Sequence, residues 1–287
     1  METDETLQEL NIGFLGCGHM GRAILSGALN AGSFSPSQVL ISARSSAPET
    51  ARRYNVQANT PVELLSRCDV ILLGIKPQQM SSITPWVEAL ERSPTSAVGR
   101  PLVISMLAGV ELDRLSVALP PSCFTLARVM PNLCAQVGHG VTLCYAEQSD
   151  TRGEADRVKE PLEVCRALFE PLGHVEVLEY EEQLHAATAI SGCGPAYLFN
   201  LIEAMADAGV HQGLKREVAL RLAAHTVWGS GMLAIQEHPA ILKDRVTSPG
   251  GVTIEGVRTL EQHGARGAMI AAVIAATQRS RELADRV

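Results

Sequence analysis

Six residues near the amino terminus, Gly16-Cys17-Gly18-His19-Met20-Gly21, limit what this chain can fold into more than any other stretch. The apolar run Ile12-Gly13-Phe14-Leu15 precedes them, and an amphipathic stretch to about Leu29 follows. Strand, glycine turn and helix in that order open a dinucleotide-binding unit. The first glycine permits the turn, the second lets the backbone approach a pyrophosphate, and the third lets helix and strand pack closely. Unpaired amides at the helix start then face the phosphates. Gly16, Cys17, Gly18, His19, Met20 and Gly21 are therefore the first expected cofactor contacts. An ordinary glycine-rich turn would require neither the flanking strand nor the flanking helix.

The choice of dinucleotide is read at the end of the second expected strand, Gln38-Val39-Leu40-Ile41. A cofactor lacking a 2′-phosphate meets an Asp or Glu about 20 residues beyond the glycines. Here the chain reads Ser42-Ala43-Arg44-Ser45-Ser46, and no carboxylate occurs before Glu49. A guanidinium donates two charge-assisted hydrogen bonds to a phosphate monoester, and the hydroxyls add donors. Arg44 thus favours NADPH over NADH, with a solvated loop arginine as the plain alternative.

From Asn11 to about Val177 short apolar runs alternate with helical stretches, the pattern of a doubly wound α/β sheet. Further strands are expected at Asp69–Leu73, Pro101–Ser105, Phe124–Val129, Gly140–Tyr145 and His174–Val177, with helices at 60–63 onward, 78–91 and 154–170 and a loop from Ser93 to Arg100. Ligands gather at the carboxyl ends of such strands. Gly74-Ile75-Lys76-Pro77 and Met106-Leu107-Ala108-Gly109 stand at two of them, and Asn132 stands at a third. Asn132 can order a water or a nicotinamide, or simply close a turn.

Past Glu179 the strand signal stops. Residues 181–191, 195–211, 215–236 and 266–286 read as helices, many with apolar or small residues on more than one side. A helix apolar all round must be buried, and a partner subunit is the economical way to bury several. The expected class is α/β: a Rossmann-type doubly wound sheet over residues 1–178, then an all-helical dimerisation and substrate-binding domain over 179–287.

A net charge of −7 argues against nucleic acid as a partner, which calls for a basic face. Seven cysteines without a C-x-x-C pair, and no secretory leader, point to reduced thiols in the cytoplasm. No apolar run approaches the ~18 residues of a membrane span, so no membrane partner is expected. Glu182 and His185 share a helical face, but with no second such pair no metal is expected.

Two glycine-rich stretches in the helical half precede helices: Ser191-Gly192-Cys193-Gly194-Pro195, and Thr247-Ser248-Pro249-Gly250-Gly251-Val252-Thr253. Exposed amides and hydroxyls there can capture an anion such as a carboxylate. For the first, a close helix-packing turn is the stronger reading. For the second, breakers flanked by three hydroxyls exceed what a turn requires.

Together these residues resemble the pyrroline-5-carboxylate reductase family over nearly the whole chain. The resemblance rests on Gly16-x-Gly18-x-x-Gly21, Ile75-Lys76-Pro77, Ala108-Gly109, Arg128-Val129-Met130-Pro131-Asn132 and Ser191-Gly192-x-Gly194-Pro195-Ala196-Tyr197. Its most specific part is Leu242-Lys243-Asp244-Arg245-Val246-Thr247-Ser248-Pro249-Gly250-Gly251-Val252-Thr253, with Gly256 and Leu260-Glu261 behind it. Cys193, Leu133-Cys134, His19 and Gly21 depart from the usual pattern.

The resemblance implies reduction of 1-pyrroline-5-carboxylate to proline by NADPH, with NAD as a second cofactor, in a homodimer or a ring of dimers. Ser248, Gly250, Gly251 and Thr253 would hold the substrate, with Thr253 at its ring nitrogen. Arg44 and Asn59 would lie near the adenosine phosphate and ribose. Gly74, Ile75, Lys76 and Pro77, with Ser105, Met106, Leu107 and Ala108, would line the rest of the cofactor crevice. The alternatives are a reductase of another imine or of a 3-hydroxy acid, and a non-catalytic NADP-sensing dimer. The 3-hydroxy acid reading wants a Lys after the Ser191–Pro195 turn, and none occurs until Lys215.

Overall fold

The computed structural model describes residues 7–44, 47–91, 99–147, 158 and 160–285. Ser45 and Ser46, most of the loop from Ser93, the chain through residue 6, residues 154–157 and 159 of the helix expected over 154–170, and residues 286 and 287 lie outside them; Glu160 is extended, so that helix begins only at Pro161. The chain divides into two compact units: residues through Gly192 together with those from Thr277 onward, and Cys193–Ala276.

The first unit carries one eight-stranded sheet. Its strands are β1 (Ile12–Leu15), β2 (Val39–Ser42), β3 (Gln57–Ala58), β4 (Val70–Leu73), β5 (Leu102–Ser105), β6 (Thr125–Pro131), β7 (Gly140–Ala146) and β8 (Gly173–Val177). They lie in the order β3-β2-β1-β4-β5-β6-β7-β8. Every neighbouring pair is parallel except β6 and β7. β1, β2, β4 and β5 are buried at every position. A parallel sheet covered on both faces demands such continuous apolar runs.

Alternate residues feed two cores. Ile12, Phe14, Val70, Leu72 and Ile104 pack with Ile24, Leu25 and Phe169 on one face. Leu15, Ile71, Leu73 and Val103 pack with Leu64, Val87 and Phe124 on the other. The first face is covered by α1 (His19–Ala31) and α6 (Pro161–Phe169), the second by α3 (Pro61–Arg67), α4 (Ile83–Glu91) and α5 (Leu112–Ala118). At the head of α3, Thr60 and Glu63 cap each other with Pro61 in the first turn, the helix start that Thr60-Pro61-Val62-Glu63 predicts. α2 (Ala47–Tyr54) and α7 (Gln183–Ser191) also belong to this unit.

Several features of this unit differ from the expectations. β3 is two exposed residues, too short to show an alternation. α5 also lies outside the expected elements. The helix expected over 78–91 begins as a 3-10 turn, Pro77–Ser82, and becomes α-helical only at Ile83.

The second unit holds α8 (Gly194–His211), α9 (Arg216–Gln236), α10 (Pro239–Arg245) and α11 (Val252–Gln262), with α12 (Ala265–Ala284) continuing past its boundary. α8 and α9 approach closely on small residues, with Ala206, Ala219 and Ala223 buried. A Cβ on Gly209 would stand 3.1 Å from that of Ala219. Otherwise this unit exposes most of its large apolar side chains, among them Phe199, Leu222, Trp228, Leu233 and Ile235, the last at 82%. α9 also has the length and mean hydropathy, 1.2, of a helix able to cross a membrane.

Candidate cofactor crevice and anion-binding turn

Strand register sets the crevice. Leu15 pairs with Ser42 and with Leu73, and Leu73 pairs with Ser105. Four strands therefore end in one row, and Gly16, Ala43, Gly74 and Met106 each follow directly. Backbone bonds stitch that row together: Gly16 N to Ser42 O at 2.7 Å, Gly74 N to Leu15 O at 2.9 Å, and Met106 N to Leu73 O at 3.0 Å. The row lies where the strand order reverses, between β1 and β4, the point at which open α/β sheets take their ligands.

Each glycine of the loop has its own reason. Gly16 sits at φ 89°, and a Cβ there would come within 2.7 Å of the Gly74 carbonyl carbon and the Ile75 nitrogen. Gly18 has nothing within 4 Å of a Cβ position, an open approach to backbone. Gly21 would bring a Cβ to 3.3 Å from Gly16 O, a tight but small misfit. The first ladder bond of α1 runs from Arg22 N to Gly18 O, so the amides of its first turn stand outside the intrahelical ladder. A pyrophosphate matches that arrangement of donors.

A cleft of about 460 Å³ opens here, lined by Gly16, Cys17, Gly18, Arg44, Gly74, Ile75 and Lys76 among the expected residues. It also takes in Pro61, Gln79, Ser82 and Trp86, which local sequence spacing did not signal. A larger, more open groove of about 670 Å³ runs along α1 past Ser26, Asn30 and Tyr54. It reaches no end of β1, β2, β4 or β5, so the smaller cleft is the candidate dinucleotide site.

Two further details suit that ligand. Arg44 is exposed at the rim of the cleft, directly after the end of β2. Asn59 extends the sheet edge through its amide to Ile41 O at 2.9 Å. Its side-chain Oδ1 is buried and has no hydrogen-bond partner, an acceptor left over for a ribose hydroxyl or another donor. Cys17, by contrast, turns its side chain into the core. Burial pushes its thiol up to about 11 against the opposing pull of Arg22, so Cys17 offers the crevice backbone and no thiolate.

Asn132 is held by the fold through three hydrogen bonds. Its Oδ1 accepts from Cys134 N and Val141 N, both at 3.1 Å, and its Nδ2 donates to Ser191 O at 2.9 Å. Of the two readings, turn closure holds. Ser191–Pro195 likewise is a helix junction: Gly192 and Cys193 are both right-handed helical, and a Cβ on Gly192 would stand 2.9 Å from Thr188 O.

The turn before α11 has a different character. Gly251 N donates to Ser248 O at 3.1 Å, with Pro249 and a left-handed Gly250, φ 65°, between them, as a type II turn requires. Gly251 is the N-cap, and a Cβ on it would strike Ser248 Oγ at 2.2 Å. Ser248 and Thr253 are exposed, and among the described residues neither side chain has a hydrogen-bond partner. Free hydroxyls beside the unladdered amides of an 11-residue helix form a nest for a small anion.

A mostly parallel sheet with a glycine turn, a helix start and a crevice at its switch point defines a Rossmann-type dinucleotide-binding protein. Residues 181–283 match the family model described as pyrroline-5-carboxylate reductase dimerisation, and residues 11–109 match that described as NADP oxidoreductase coenzyme F420-dependent. The chain is 38% identical over 285 residues to the pyrroline-5-carboxylate reductase of Synechocystis, covering 96% of this chain and 98% of that one. It is 36% identical over 282 residues to that of Escherichia coli, covering 96% and 98%. Among solved structures, the NADP-bound pyrroline carboxylate reductase of Plasmodium falciparum aligns with TM-score 0.79 at 27% identity, over 96% and 99% of the two chains. The Coxiella burnetii pyrroline-5-carboxylate reductase aligns with TM-score 0.81 at 28% identity, over 96% and 98%. The chain belongs to the pyrroline-5-carboxylate reductase family.

Proposed function

We infer that the chain reduces 1-pyrroline-5-carboxylate to proline, the last step of proline synthesis, with NADPH as its preferred reductant. The observation that carries this reading is the pairing, in one chain of this family, of a dinucleotide crevice with a free-hydroxyl anion turn. When bound, NADPH supplies the hydride that adds to the imine carbon. The amides and hydroxyls from Ser248 to Thr253, with Gly250 and Gly251 shaping the turn, hold the substrate carboxylate. Thr253 Oγ1 hydrogen-bonds the ring nitrogen. A threonine hydroxyl is a poor acid, so Thr253 orients the nitrogen while water delivers its proton. Holding the reactants in place supplies up to roughly 7–11 kcal/mol of the acceleration.

Residues 1–178 carry the cofactor in this reading, and 179–287 carry dimerisation and the substrate. Arg44 and Asn59 hold the adenosine end, and residues 74–77 and 105–108 line the remainder. The exposed apolar side chains of α8, α9 and α12 suit a second copy of the chain, as a homodimer or a ring of dimers, and that burial accounts for the hydropathy of α9. NADH serves as a weaker reductant. A cytoplasmic location accords with seven cysteines that form no disulfide.

The test is oxidation of NADPH and of NADH, side by side, with 1-pyrroline-5-carboxylate, and light scattering on the same sample. Proline formation with NADPH favoured, from a particle of at least two subunits, is the expected result. Cofactor binding without turnover would leave the NADP-sensing alternative.

A further inference from the structure

The loop after β5 is held from behind. Glu111, at the head of α5, makes no capping bond of its own. The acceptor for Leu112 N is instead Glu181 Oε1 at 2.8 Å, and the same oxygen receives Arg128 Nη1 at 2.6 Å. The Glu111 carboxylate turns to His185 Nε2, 3.4 Å away, while His185 Nδ1 lies 2.9 Å from Ser280 Oγ on α12. His185 is only 6% exposed. A carboxylate only accepts, so Nε2 carries a proton and donates to Glu111, while Nδ1 and the Ser280 hydroxyl share a hydrogen bond whose direction follows the state of the ring.

The loop itself approaches α12 at Gly109. Gly109, at φ 73°, leaves a Cβ position 3.4 Å from Ala284 N and from the Leu283 carbonyl carbon. At its other end the loop reaches the glycine turns, since the Met106 methyl lies 2.9 Å from a Cβ position on Gly74, itself 2.7 Å from Gly16 O. One packed series of contacts thus runs from α7 and the end of α12, through Glu111 and the 105–109 loop, to the phosphate loop.

We propose that His185 is a positioning residue for the dinucleotide: it ties Glu111 to Ser280 and so fixes the Ser105–Gly109 loop against the crevice. The inference rests on the reading that residues 105–108 line the cofactor. His185 touches neither cofactor nor substrate and acts through the loop.

The experiment measures NADPH Kd by fluorescence, KM for each substrate, and Tm, on the full-length protein. His185→Ala and Glu111→Ala each raise NADPH Kd and KM roughly threefold to tenfold, the partly transmitted loss of one hydrogen bond to a charged group. KM for the imine stays within about twofold, since the anion turn is untouched. Glu111→Gln, which keeps an acceptor for His185, restores most of the affinity. Should His185→Ala fail to fold, the pair of Glu111 variants decides, because that side chain is 46% exposed. A fall in Tm with NADPH Kd unchanged, or no difference between Glu111→Ala and Glu111→Gln, overturns the proposal. Wild-type protein that binds NADPH but reduces no imine would sink the reductase reading and leave this comparison standing. Wild-type protein that binds no NADPH would overturn both.

Discussion

The sheet-bearing unit and the helical unit solve the same problem in opposite ways. The first buries most of the large apolar side chains among its described residues, in two cores on either side of one sheet. Among the described residues of Cys193–Ala276, only three alanines count as buried apolar residues, while Phe199, Trp228, Leu233 and Ile235 stand exposed. A parallel sheet recruits its own helices as cover. A helix apolar on several faces must find that cover elsewhere. The sites follow the same division. The candidate crevice is made of buried strand ends in fixed register, whereas the candidate anion turn is a short surface turn whose hydroxyls, among the described residues, are free.

The largest expected effect falls on the helical unit. Leu233→Glu puts a carboxylate into the exposed apolar stripe of α9, and burying an unpaired charge at an interface costs about 3 kcal/mol or more. Dimer Kd rises at least a hundredfold on the approximate scale of 1.4 kcal/mol per decade, while the sheet unit keeps its near-ultraviolet signal. An unchanged particle mass by light scattering would mean that this face has no partner copy.

Arg44→Ala acts on the crevice and is smaller. Losing a charge-assisted bond to the 2′-phosphate raises KM for NADPH roughly tenfold. KM for NADH hardly moves, so the ratio of the two cofactors is the readout. Equal losses for both would make Arg44 a general contact and no reader of the phosphate.

The smallest effect is a pH slope belonging to the buried core. Burial, with Asp69 reinforcing and Arg67 opposing, pushes the Cys68 thiol from its ordinary 9.0 up to about 12. Above the ordinary value the unfolded chain loses this proton and the folded one retains it. Stability therefore falls as pH rises from about 9 toward 12. Cys68→Ala flattens that fall in a Tm series, with a modest loss at neutral pH from the smaller side chain. A slope identical to wild type would place the alkaline sensitivity elsewhere.

Much of the first unit was legible in the sequence because its signals are local. Ile12–Leu15, Val70–Leu73 and Leu102–Ser105 are continuous apolar runs, and the glycine turn lies between a strand and a helix as its function requires. β3 escaped because two exposed residues carry no period. Trp86 reaches the crevice from α4, and His185 joins partners 74 and 95 residues away; no spacing rule encodes such meetings. Asn132 shows the converse limit. Its residue type suits both a ligand and a turn, and only its three hydrogen bonds decide.

The most direct measurement concerns Gly251, where an added Cβ would meet Ser248 Oγ and push that hydroxyl out of its place in the turn. Steady-state kinetics of Gly251→Ala, with NADPH Kd measured on the same protein, separates the two sites. KM for 1-pyrroline-5-carboxylate should rise by about tenfold or more, with NADPH Kd unchanged. An unaltered KM for the imine, or a loss of NADPH affinity in its place, would contradict the assignment of the substrate carboxylate to this turn.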